Sequence, residues 1–311
     1  MNITDKVAVC SRSFSRNEVL RAELLAHYKY VTFNETGQQL EGDDLVEFLR
    51  GHDKAITALE HINNYVLSRL PELKVIGKYG VGLDMIDMNA MRRYGKRIGL
   101  ISGVNRRSAA ELTLAFAIIM LRHVPAANRE VLSGIWRQHV GGLLSGRIFG
   151  IIGCGHIGKD LVRLLQPFGC QILVNDIRHY NDFYAEYDIE ALRLEDVLVR
   201  ADIVTLHVPL DASTLGILTA DRLALMKSHA ILINVARGGL VDEAALKQSL
   251  LEGHLAAAAF DVFADEPPHD KELLNLPNFL ATPHIGGSAE EAILAMGRAA
   301  ISGLDENEIP G

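Results

Sequence analysis

Two kinds of apolar pattern alternate along the chain. Short runs of β-branched and other apolar residues are typical of buried strands, and the stretches between them repeat their apolar residues at helical spacing. This alternation predicts a parallel sheet with helices on both faces. In the N-terminal part the predicted strands are Val7–Val9, Val31–Phe33, Ala55–Thr57, Val75–Ile76 and Ile98–Ile101, and the predicted helices are Asn17–His27, Asp43–Leu49, Asn63–Leu70 and Met88–Tyr94.

A long helix predicted at Ala109–Arg122 separates this part from a second α/β series. Ser108 and Glu111 predict a capping box at its start. Its surface is apolar on nearly all sides, which predicts burial on both sides. Ser288 and Glu291 predict a second capping box at the last helix. The second series has predicted strands at Phe149–Ile152, Gln171–Asn175, Ile203–His207, Ala230–Asn234, Ala257–Phe260 and Phe279–Thr282.

Length and composition narrow the class of protein. A chain of 311 residues suits about two domains, and the absence of a Pro/Gly/Ser-rich linker predicts two packed α/β domains. A formal charge of −8 argues against nucleic acid as a partner, and no stretch is long and apolar enough to predict a membrane span or a secretion signal. The three cysteines form no zinc framework, so we expect three buried thiols, a reducing compartment and a cytoplasmic protein. The acidic segment 305–308 is predicted to be frayed.

A glycine-rich turn, GCGHIG at 153–158, follows one strand and opens a helix with an apolar stripe. In this context Gly153 permits a tight turn, Gly155 permits a pyrophosphate to approach the backbone, and Gly158 permits the helix to pack on the strand. The helix begins at His156 and Ile157, and its N-terminus offers free N–H groups to phosphates. The pattern predicts a dinucleotide site.

Asp176 ends the next strand, where a carboxylate can bind both ribose hydroxyls and repel a 2′-phosphate. This favours NAD over NADP, although Arg178 nearby is a group that can receive a phosphate. A solvated acid at a strand end is the alternative interpretation of Asp176. Cys154 and His156 fill variable positions of the turn, and a catalytic thiol or metal pair there is a second, weaker alternative.

Three further polar residues follow successive strands of the second series: Arg237, Glu266 and His284. The carboxyl ends of parallel strands form the ligand-binding edge of an open sheet. An arginine fork can hold a 2-keto acid, a histidine can exchange the proton on its carbonyl oxygen, and a carboxylate can orient that histidine. Taken alone, an arginine or a glutamate at such a place is usually a surface charge, and a histidine is more often structural than catalytic. The hypothesis rests on their joint occurrence downstream of the glycine turn.

Taken together, these motifs resemble the D-isomer-specific 2-hydroxyacid dehydrogenase family, from about Lys74 to Gly287. The matching segments are YGVGLD (79–84), SAAE (108–111), GCGHIG (153–158), HVPL (207–210), NVARGG (234–239), FDVFADEP (260–267) and TPHIGG (282–287). The resemblance implies that Arg237, Glu266 and His284 are catalytic and that the backbone of Val81 and Gly82 holds the substrate carboxylate. It also implies a set of cofactor-binding residues: the glycine turn with His156 and Ile157, Asp176, His207, Pro209, Ala236, Asp261 and Gly286.

The resemblance further implies two doubly wound parallel-sheet domains. A flavodoxin-like substrate domain would comprise residues 1–99 and 287–311, and a Rossmann NAD-binding domain residues 100–286. The implied activity is transfer of a hydride between NAD and C2 of a small D-2-hydroxy or 2-keto acid, without a metal. Members are usually homodimers, with the helix at 109–122 at the interface.

One position departs from the family's phosphoglycerate dehydrogenases. Where those enzymes hold the substrate phosphate with an arginine, ungapped alignment places Thr57 here, followed by Glu60 and His61. Arg12 is a candidate substitute, with a solvated turn as the alternative. The function therefore stays open between a dehydrogenase for another acid, phosphoglycerate dehydrogenase itself, a dehydrogenase for a small oxyanion such as phosphite or formate, and a non-catalytic NAD-sensing corepressor.

Overall fold

The computed structural model describes residues 4–310, which divide into two compact units. The first unit comprises residues up to Asn105 together with Ala289 onwards, and the second comprises Arg106–Ser288.

The first unit contains a five-stranded parallel sheet in the order β2-β1-β3-β4-β5. Strands β3 and β4 are buried along their whole length, including the polar residues Lys54, Thr57 and Lys78 at their ends. The elements of its N-terminal segment are β1 (Lys6–Val9), α1 (Arg12–Arg16), α2 (Glu18–His27), β2 (Tyr30–Phe33), α3 (Gly42–Leu49), β3 (Lys54–Thr57), α4 (Asn64–Leu67), β4 (Val75–Lys78), α5 (Met88–Arg93) and β5 (Arg97–Gly99).

The second unit contains a seven-stranded parallel sheet in the order β12-β11-β10-β9-β6-β7-β8. Its elements are α6 (Arg106–Leu121), α7 (Val124–Leu132), β6 (Ile148–Ile152), α8 (His156–Leu165), β7 (Gln171–Asn175), α9 (Asn181–Glu186), β8 (Ile189–Ala191), α10 (Leu194–Arg200), β9 (Ile203–Leu206), α11 (Ala220–Leu223), β10 (Ile231–Asn234), α12 (Glu243–Leu251), β11 (Ala257–Phe260), α13 (Lys271–Asn275) and β12 (Phe279–Ala281). The two strand orders are those of the flavodoxin-like and Rossmann folds, so the predicted fold class is confirmed.

Each sheet has one point at which the strand order reverses. In the first unit it lies between β1 and β3, and in the second between β6 and β9. Ligands of open parallel sheets bind at such points, outside the carboxyl ends of the strands. These two edges are therefore the expected ligand-binding sites of the two units.

The last helix, α14 (Glu290–Gly303), returns to the first unit and packs on β4, β5 and α2. The backbones come very close: a Cβ atom at Gly99 would overlap the carbonyl of Gly303, and one at Gly77 would lie 2.5 Å from the carbonyl oxygen of Ala300. A side chain at either glycine would push the helix off the sheet, so this contact depends on their lack of one.

The segment after α14 is ordered, so its predicted fraying is wrong. Asp305 Oδ1 lies 2.7 Å from Nζ of the buried Lys54, and the backbone of Glu308 exchanges two hydrogen bonds with Ile98, at 2.8 and 3.0 Å. Burial tends to raise the pKa of the Asp305 carboxyl, but its hydrogen bonds with Lys54 and Tyr28 outweigh this and lower it. The acidic side chains of this segment are thus not a sign of disorder, because one of them neutralises a buried lysine.

Both predicted capping boxes are also wrong. Helix α6 begins at Arg106, so Ser108 lies inside it, and α14 has Ala289 at its N-cap, where no side chain accepts a hydrogen bond. Cys10 and Cys154 are buried as predicted, whereas Cys170 is half-buried. Within residues 4–310, no single helix is long and apolar enough to cross a membrane, although α6 and α7 reach that length and composition as a pair bent by 64°. The cytoplasmic location stays a prediction.

Candidate active site

The glycine turn between β6 and α8 is shaped by close backbone contacts. Gly153 has φ +98°, and a Cβ atom there would lie 2.6 Å from the carbonyl oxygen of His207, which follows β9. At Gly158 a Cβ atom would overlap the carbonyl of Gly153. Because both residues lack a side chain, the backbone can turn tightly here, and α8 starts directly above the carboxyl end of β6, at the reversal point of the sheet.

Gly155 differs from its two neighbours, since a Cβ atom there would meet nothing within 4 Å. It is the N-cap of α8, and no side chain accepts a hydrogen bond at that cap. The N–H groups of the first helical turn, from His156 and Ile157 onwards, have no partner within the helix. Open space over unsatisfied donors at a helix N-terminus fits a pyrophosphate.

Asp176 follows β7, and its carboxylate is tied to the glycine turn. Oδ2 accepts a hydrogen bond from the backbone N–H of Cys154 at 2.6 Å, and Oδ1 accepts one from the N–H of Arg178 at 2.7 Å. Asp176 is half-buried and lines a cavity of about 420 Å³ at the end of the strand. A carboxylate fixed beside the phosphate-binding turn fits a ribose, so this edge has the features that a dinucleotide needs.

The Cys154 side chain does not suit catalysis. It is buried, and burial together with the charge of Asp176 raises its pKa to about 11. The thiolate is the reactive form of cysteine, and almost none is present near neutral pH. The thiol is therefore a packing group of the turn.

His207 lies at the carboxyl end of β9, on the other side of the reversal point. Its Nε2 lies 3.1 Å from Oγ1 of Thr205, and its Nδ1 is buried with no hydrogen-bond partner among residues 4–310. Burial lowers the pKa of the ring to about 3. The ring is thus neutral, and one of its two nitrogens is unsatisfied. Pro209, two residues on, is exposed.

This pKa predicts a measurable pH dependence of stability. Below the ordinary value of 6.5 the unfolded chain takes up a proton at His207 and the folded chain does not, so the free energy of unfolding should fall as the pH decreases from 6.5 towards about 3. In His207→Gln this contribution is absent. Urea unfolding at several pH values across that window should give a shallower slope for His207→Gln than for the wild type. His254→Gln, at a well-exposed histidine, is the control; equal slopes for all three proteins would contradict the assignment.

Asp261 joins the ends of β11 and β12. Its buried carboxylate accepts hydrogen bonds from Oγ1 of Thr282 at 2.5 Å and from the N–H groups of Ile285 and Gly286 at 2.8 and 2.7 Å. Its backbone carbonyl accepts from the N–H of His284 at 2.9 Å. One carboxylate thus fixes the loop on both sides of His284.

His284 and Glu266 come together, although 18 residues separate them. Nδ1 of His284 lies 2.9 Å from Oε2 of Glu266, and Oε1 of Glu266 accepts from the N–H of Phe263 at 3.1 Å. The side chains are 47% and 40% exposed, so the pair is accessible to a ligand. With Nδ1–H donating to the carboxylate, Nε2 is the ring atom left to exchange a proton.

The backbone of His284 has φ +54°, in the left-handed region that few residue types adopt without cost. The hydrogen bonds around Asp261 hold it there. This backbone geometry is part of what directs the ring towards Glu266.

Arg237 follows β10, in the loop next to that of Glu266. The buried side chain of Asn234 shapes this loop, because its Nδ2 donates to the Arg237 carbonyl at 2.8 Å and its Oδ1 accepts from the N–H of Ala236 at 3.1 Å. A Cβ atom at Gly238 would overlap the carbonyl of Phe263, whose N–H binds Glu266. The loops of Arg237 and Glu266 are therefore in direct backbone contact.

Two polar residues of this edge had no role in the sequence analysis: Asn234 and Thr282. Asn234 donates a hydrogen bond that fixes the loop of Arg237, and Thr282 donates one that fixes the loop of His284 through Asp261. In the sequence, each appears only as a polar residue at the end of an otherwise apolar strand. Many strands end in this way, so a single sequence does not show that these two residues fix a loop.

Val81 and Gly82 belong to the first unit, after β4, and both are half-buried. The turn before them contains Gly80 at φ +125°, and the N–H of Tyr79 binds the carbonyl of Thr57 at 2.8 Å. They thus follow the same sheet edge as the loop after β3.

Comparison with known proteins identifies the second unit. Residues 114–286 match the family model described as "D-isomer specific 2-hydroxyacid dehydrogenase, NAD binding domain". The chain is 37% identical to the D-3-phosphoglycerate dehydrogenase of Methanocaldococcus jannaschii, over 85% of this chain and 51% of that protein. It is 38% identical to the Bacillus subtilis enzyme of the same name, over 74% of this chain and 44% of that protein. It therefore spans about half the length of these curated relatives.

The fold is shared along almost the whole chain. The TT0316 protein from Thermus thermophilus superposes with a TM-score of 0.84 at 32% identity, covering 96% of this chain and 95% of that one. The match to the NAD-binding model identifies NAD as the cofactor. The chain belongs to the D-isomer specific 2-hydroxyacid dehydrogenase family.

Proposed function

We propose that the protein is an NAD-dependent dehydrogenase acting at C2 of a small D-2-hydroxy or 2-keto acid. The observation that carries this proposal is the His284–Glu266 pair, held at 2.9 Å on the ligand-binding edge of an NAD-binding sheet, beside the loop of Arg237. When bound, NAD(H) supplies or accepts the hydride. A proton donor and an anion-binding group are what the chain itself must contribute.

Each of the three residues has one role in this proposal. Arg237 holds the substrate carboxylate and the adjoining carbonyl with its planar guanidinium. His284 gives a proton from Nε2 to the carbonyl oxygen during reduction and takes it back during oxidation. Glu266 keeps Nδ1 protonated and the ring oriented. The backbone of Val81 and Gly82 contributes further donors to the carboxylate.

The cofactor-binding roles also remain proposals. The glycine turn with His156 and Ile157 holds the pyrophosphate, Asp176 the ribose, and His207 and Pro209 the adenosine. The nicotinamide side is bordered by Ala236, Asp261 and Gly286. In this division residues 100–286 bind NAD, and residues 1–99 with 287–311 form the substrate domain.

The test is NADH consumption with glyoxylate, hydroxypyruvate, pyruvate, 2-ketoglutarate and phosphohydroxypyruvate. At least one acid should oxidise NADH at a rate proportional to enzyme. If NADH binds, as measured by its fluorescence, and none of the acids is reduced, the proposal fails and a non-catalytic NAD-sensing role is favoured. The names of the curated relatives make phosphohydroxypyruvate one of the acids to include, whereas Thr57 stands where phosphoglycerate dehydrogenases have an arginine.

We also propose a homodimer formed at the predicted helix 109–122 and the segment that follows it. The buried residues of α6 pack within its own unit, but Ile118 of α6 and the segment that follows expose a run of large apolar side chains. They are Ile118, Val124, Val131, Leu132, Ile135, Trp136, Val140 and Leu143, and Trp136 is 87% exposed. A second copy of this surface is its simplest cover, because a two-fold axis joins like patches.

Trp136, the only tryptophan of the chain, reports on this interface. Its emission should shift to shorter wavelength as the protein concentration rises, in step with a doubling of mass in light scattering. Val140→Asp should keep the chain monomeric with the emission of an exposed indole, whereas Leu215→Asp, at an apolar residue exposed elsewhere in the unit, should not. A wild-type monomer at all concentrations would refute the dimer.

A further inference from the structure

The loop after β11 carries Glu266 out of the core to the surface. Near the start of this loop Phe263 is buried, and its ring centroid lies 6.2 Å from that of Phe260 and 6.3 Å from that of Phe279. From residue 264 to residue 266 the chain is exposed. Core packing thus ends before Glu266, so the position of its carboxylate depends on what else holds the exposed residues.

The backbone of residues 264–267 makes a single hydrogen bond within the described part of the chain, and its partner is Glu243. Glu243 is the first residue of α12, and its Oε1 accepts from the N–H of Ala264 at 2.8 Å. The preceding N–H, that of Phe263, binds Oε1 of Glu266 at 3.1 Å. Two successive N–H groups therefore bind two carboxylates. One of these bonds closes the loop on itself, and the other ties the loop to α12.

The N-terminus of α12 does not itself explain this contact. Asp242 is the N-cap, and its side chain accepts from the N–H of Ala245 at 3.0 Å. An acid in the first turn also interacts favourably with the helix dipole, but it can do so while fully exposed. Glu243 is instead half-buried and reaches a loop 21 residues further along the chain. Its contact with that loop is thus separate from capping.

The surroundings of Glu243 disfavour a negative charge. Burial raises the pKa of its carboxyl, and the hydrogen bond from Ala264 only partly opposes this rise. Neighbouring negative charges raise the pKa further; they belong to Asp265, Asp270 and Glu266. Glutamine is therefore the conservative replacement, because it keeps an acceptor for the Ala264 N–H and avoids the cost of the charge.

We propose that Glu243 is a positioning residue for the His284–Glu266 pair. By holding Ala264, it keeps the carboxylate of Glu266 at Nδ1 of His284. All four residues belong to the second unit. Glu243 acts through Glu266 and takes no part in the proton transfer. The inference rests on the proposed function, and it deepens that proposal by tracing the geometry of the pair to a helix outside the predicted trio.

The tautomer of His284 tests the positioning in the absence of substrate and cofactor. The hydrogen bonds of a neutral histidine ring decide which nitrogen carries its proton. At alkaline pH, ¹⁵N NMR of the wild type should show the His284 proton on Nδ1, and the signals missing from His284→Asn assign the ring. Glu243→Ala and Glu266→Ala should both move the proton towards Nε2. Glu243→Gln should keep it on Nδ1.

Turnover of the best 2-keto acid of the panel is the second test. Glu243→Ala should lower kcat by about tenfold, because a small displacement of the proton-donating pair slows the reaction strongly. KM should stay within about twofold, since the Arg237 loop is untouched. Glu243→Gln should recover most of kcat. Glu18→Ala removes the first residue of α2, another helix with a side-chain N-cap, and is the control.

A double-mutant cycle tests whether Glu243 acts through Glu266. In the Glu266→Ala background, Glu243→Ala should lower kcat by less than about twofold. Glu243→Asp keeps the charge, but its side chain is too short for the Ala264 N–H. It should behave like Glu243→Ala, and it replaces that variant if thermal unfolding shows Glu243→Ala to be unfolded. An equal fall of kcat in both backgrounds, or a loss that Glu243→Gln does not recover, overturns the inference.

The two tests separate this inference from the proposed function. If the tautomer changes as expected but the wild type reduces no 2-keto acid, the proposed function fails and Glu243 still positions the pair. If acids are reduced but the His284 tautomer is the same in the wild type and in Glu243→Ala, the positioning role fails and the dehydrogenase stands.

Discussion

Replacing His284 with asparagine should lower kcat by about 10²–10⁴-fold for whichever 2-keto acid the enzyme reduces, because asparagine cannot supply the proton that the carbonyl oxygen takes up. NADH binding should stay within about twofold of the wild type, since the glycine turn and Asp176 belong to other loops. Stopped-flow or steady-state NADH oxidation, combined with a fluorescence titration of NADH, measures both quantities.

Asparagine is the right replacement because residue 284 has φ +54°, which asparagine tolerates and alanine does not. His284→Ala should lose the same turnover and, in addition, some thermal stability, so the difference in melting temperature between the two variants isolates the backbone effect. His254→Asn makes the same substitution at a well-exposed histidine and is the control. Normal turnover in a folded His284→Asn would exclude the ring as the acid and base.

Replacing Arg237 should give the second large effect, a fall in kcat/KM of about 10²–10³-fold for Arg237→Ala. The guanidinium is expected to bind the substrate carboxylate and to stay with the reacting carbonyl, so both KM and kcat should change. Arg237→Lys should recover little, because an ammonium is a point charge without the planar fork. Steady-state kinetics with the best acid of the panel, at saturating NADH, give the comparison.

The loop that bears Arg237 is set by Asn234 and by the contact of Gly238 with the Phe263 backbone, and neither depends on the guanidinium. The alanine variant should therefore fold normally and bind NADH. Arg200→Ala, at a partly exposed arginine of the same unit that does not line the cavity beside Asp176, is the matched control. A wild-type kcat/KM in Arg237→Ala would exclude it as the carboxylate-binding group.

The sequence predicts most strands well because a strand that is buried in a parallel sheet is usually a nearly continuous run of apolar residues. Strands β7 and β11 have their predicted bounds, and most others differ at one end by one or two residues. Short polar elements were not predicted: α1 is a five-residue helix, RSFSR, whose apolar content is a single phenylalanine, and β8 is three residues long. Nothing local distinguishes such segments from loops, since their structure comes from the sheet beside them.

The hydrogen bonds that fix the site loops were not predicted, because they join residues that are distant in the sequence. The sequence predicts Glu266 and His284 as strand-end residues, but the hydrogen bonds that fix the loop of His284 join Asp261, after β11, to Thr282 and Gly286, after β12. The ordered segment after α14 has the same explanation, because the partner of Asp305 is Lys54, on β3. The sequence of an acidic segment does not show that one of its side chains pairs with a buried lysine about 250 residues away.

The return of α14 to β4 and β5 has a consequence for the order of events on the ribosome. The first unit lacks its covering helix until the whole of the second unit has been synthesised, a wait on the order of 10–40 seconds at common elongation rates of about 5–20 residues per second. The second unit is continuous and can fold as soon as it emerges. The sheet of the first unit, by contrast, exposes an apolar face to water during this time. It is therefore the part of the nascent chain that most needs protection by a chaperone.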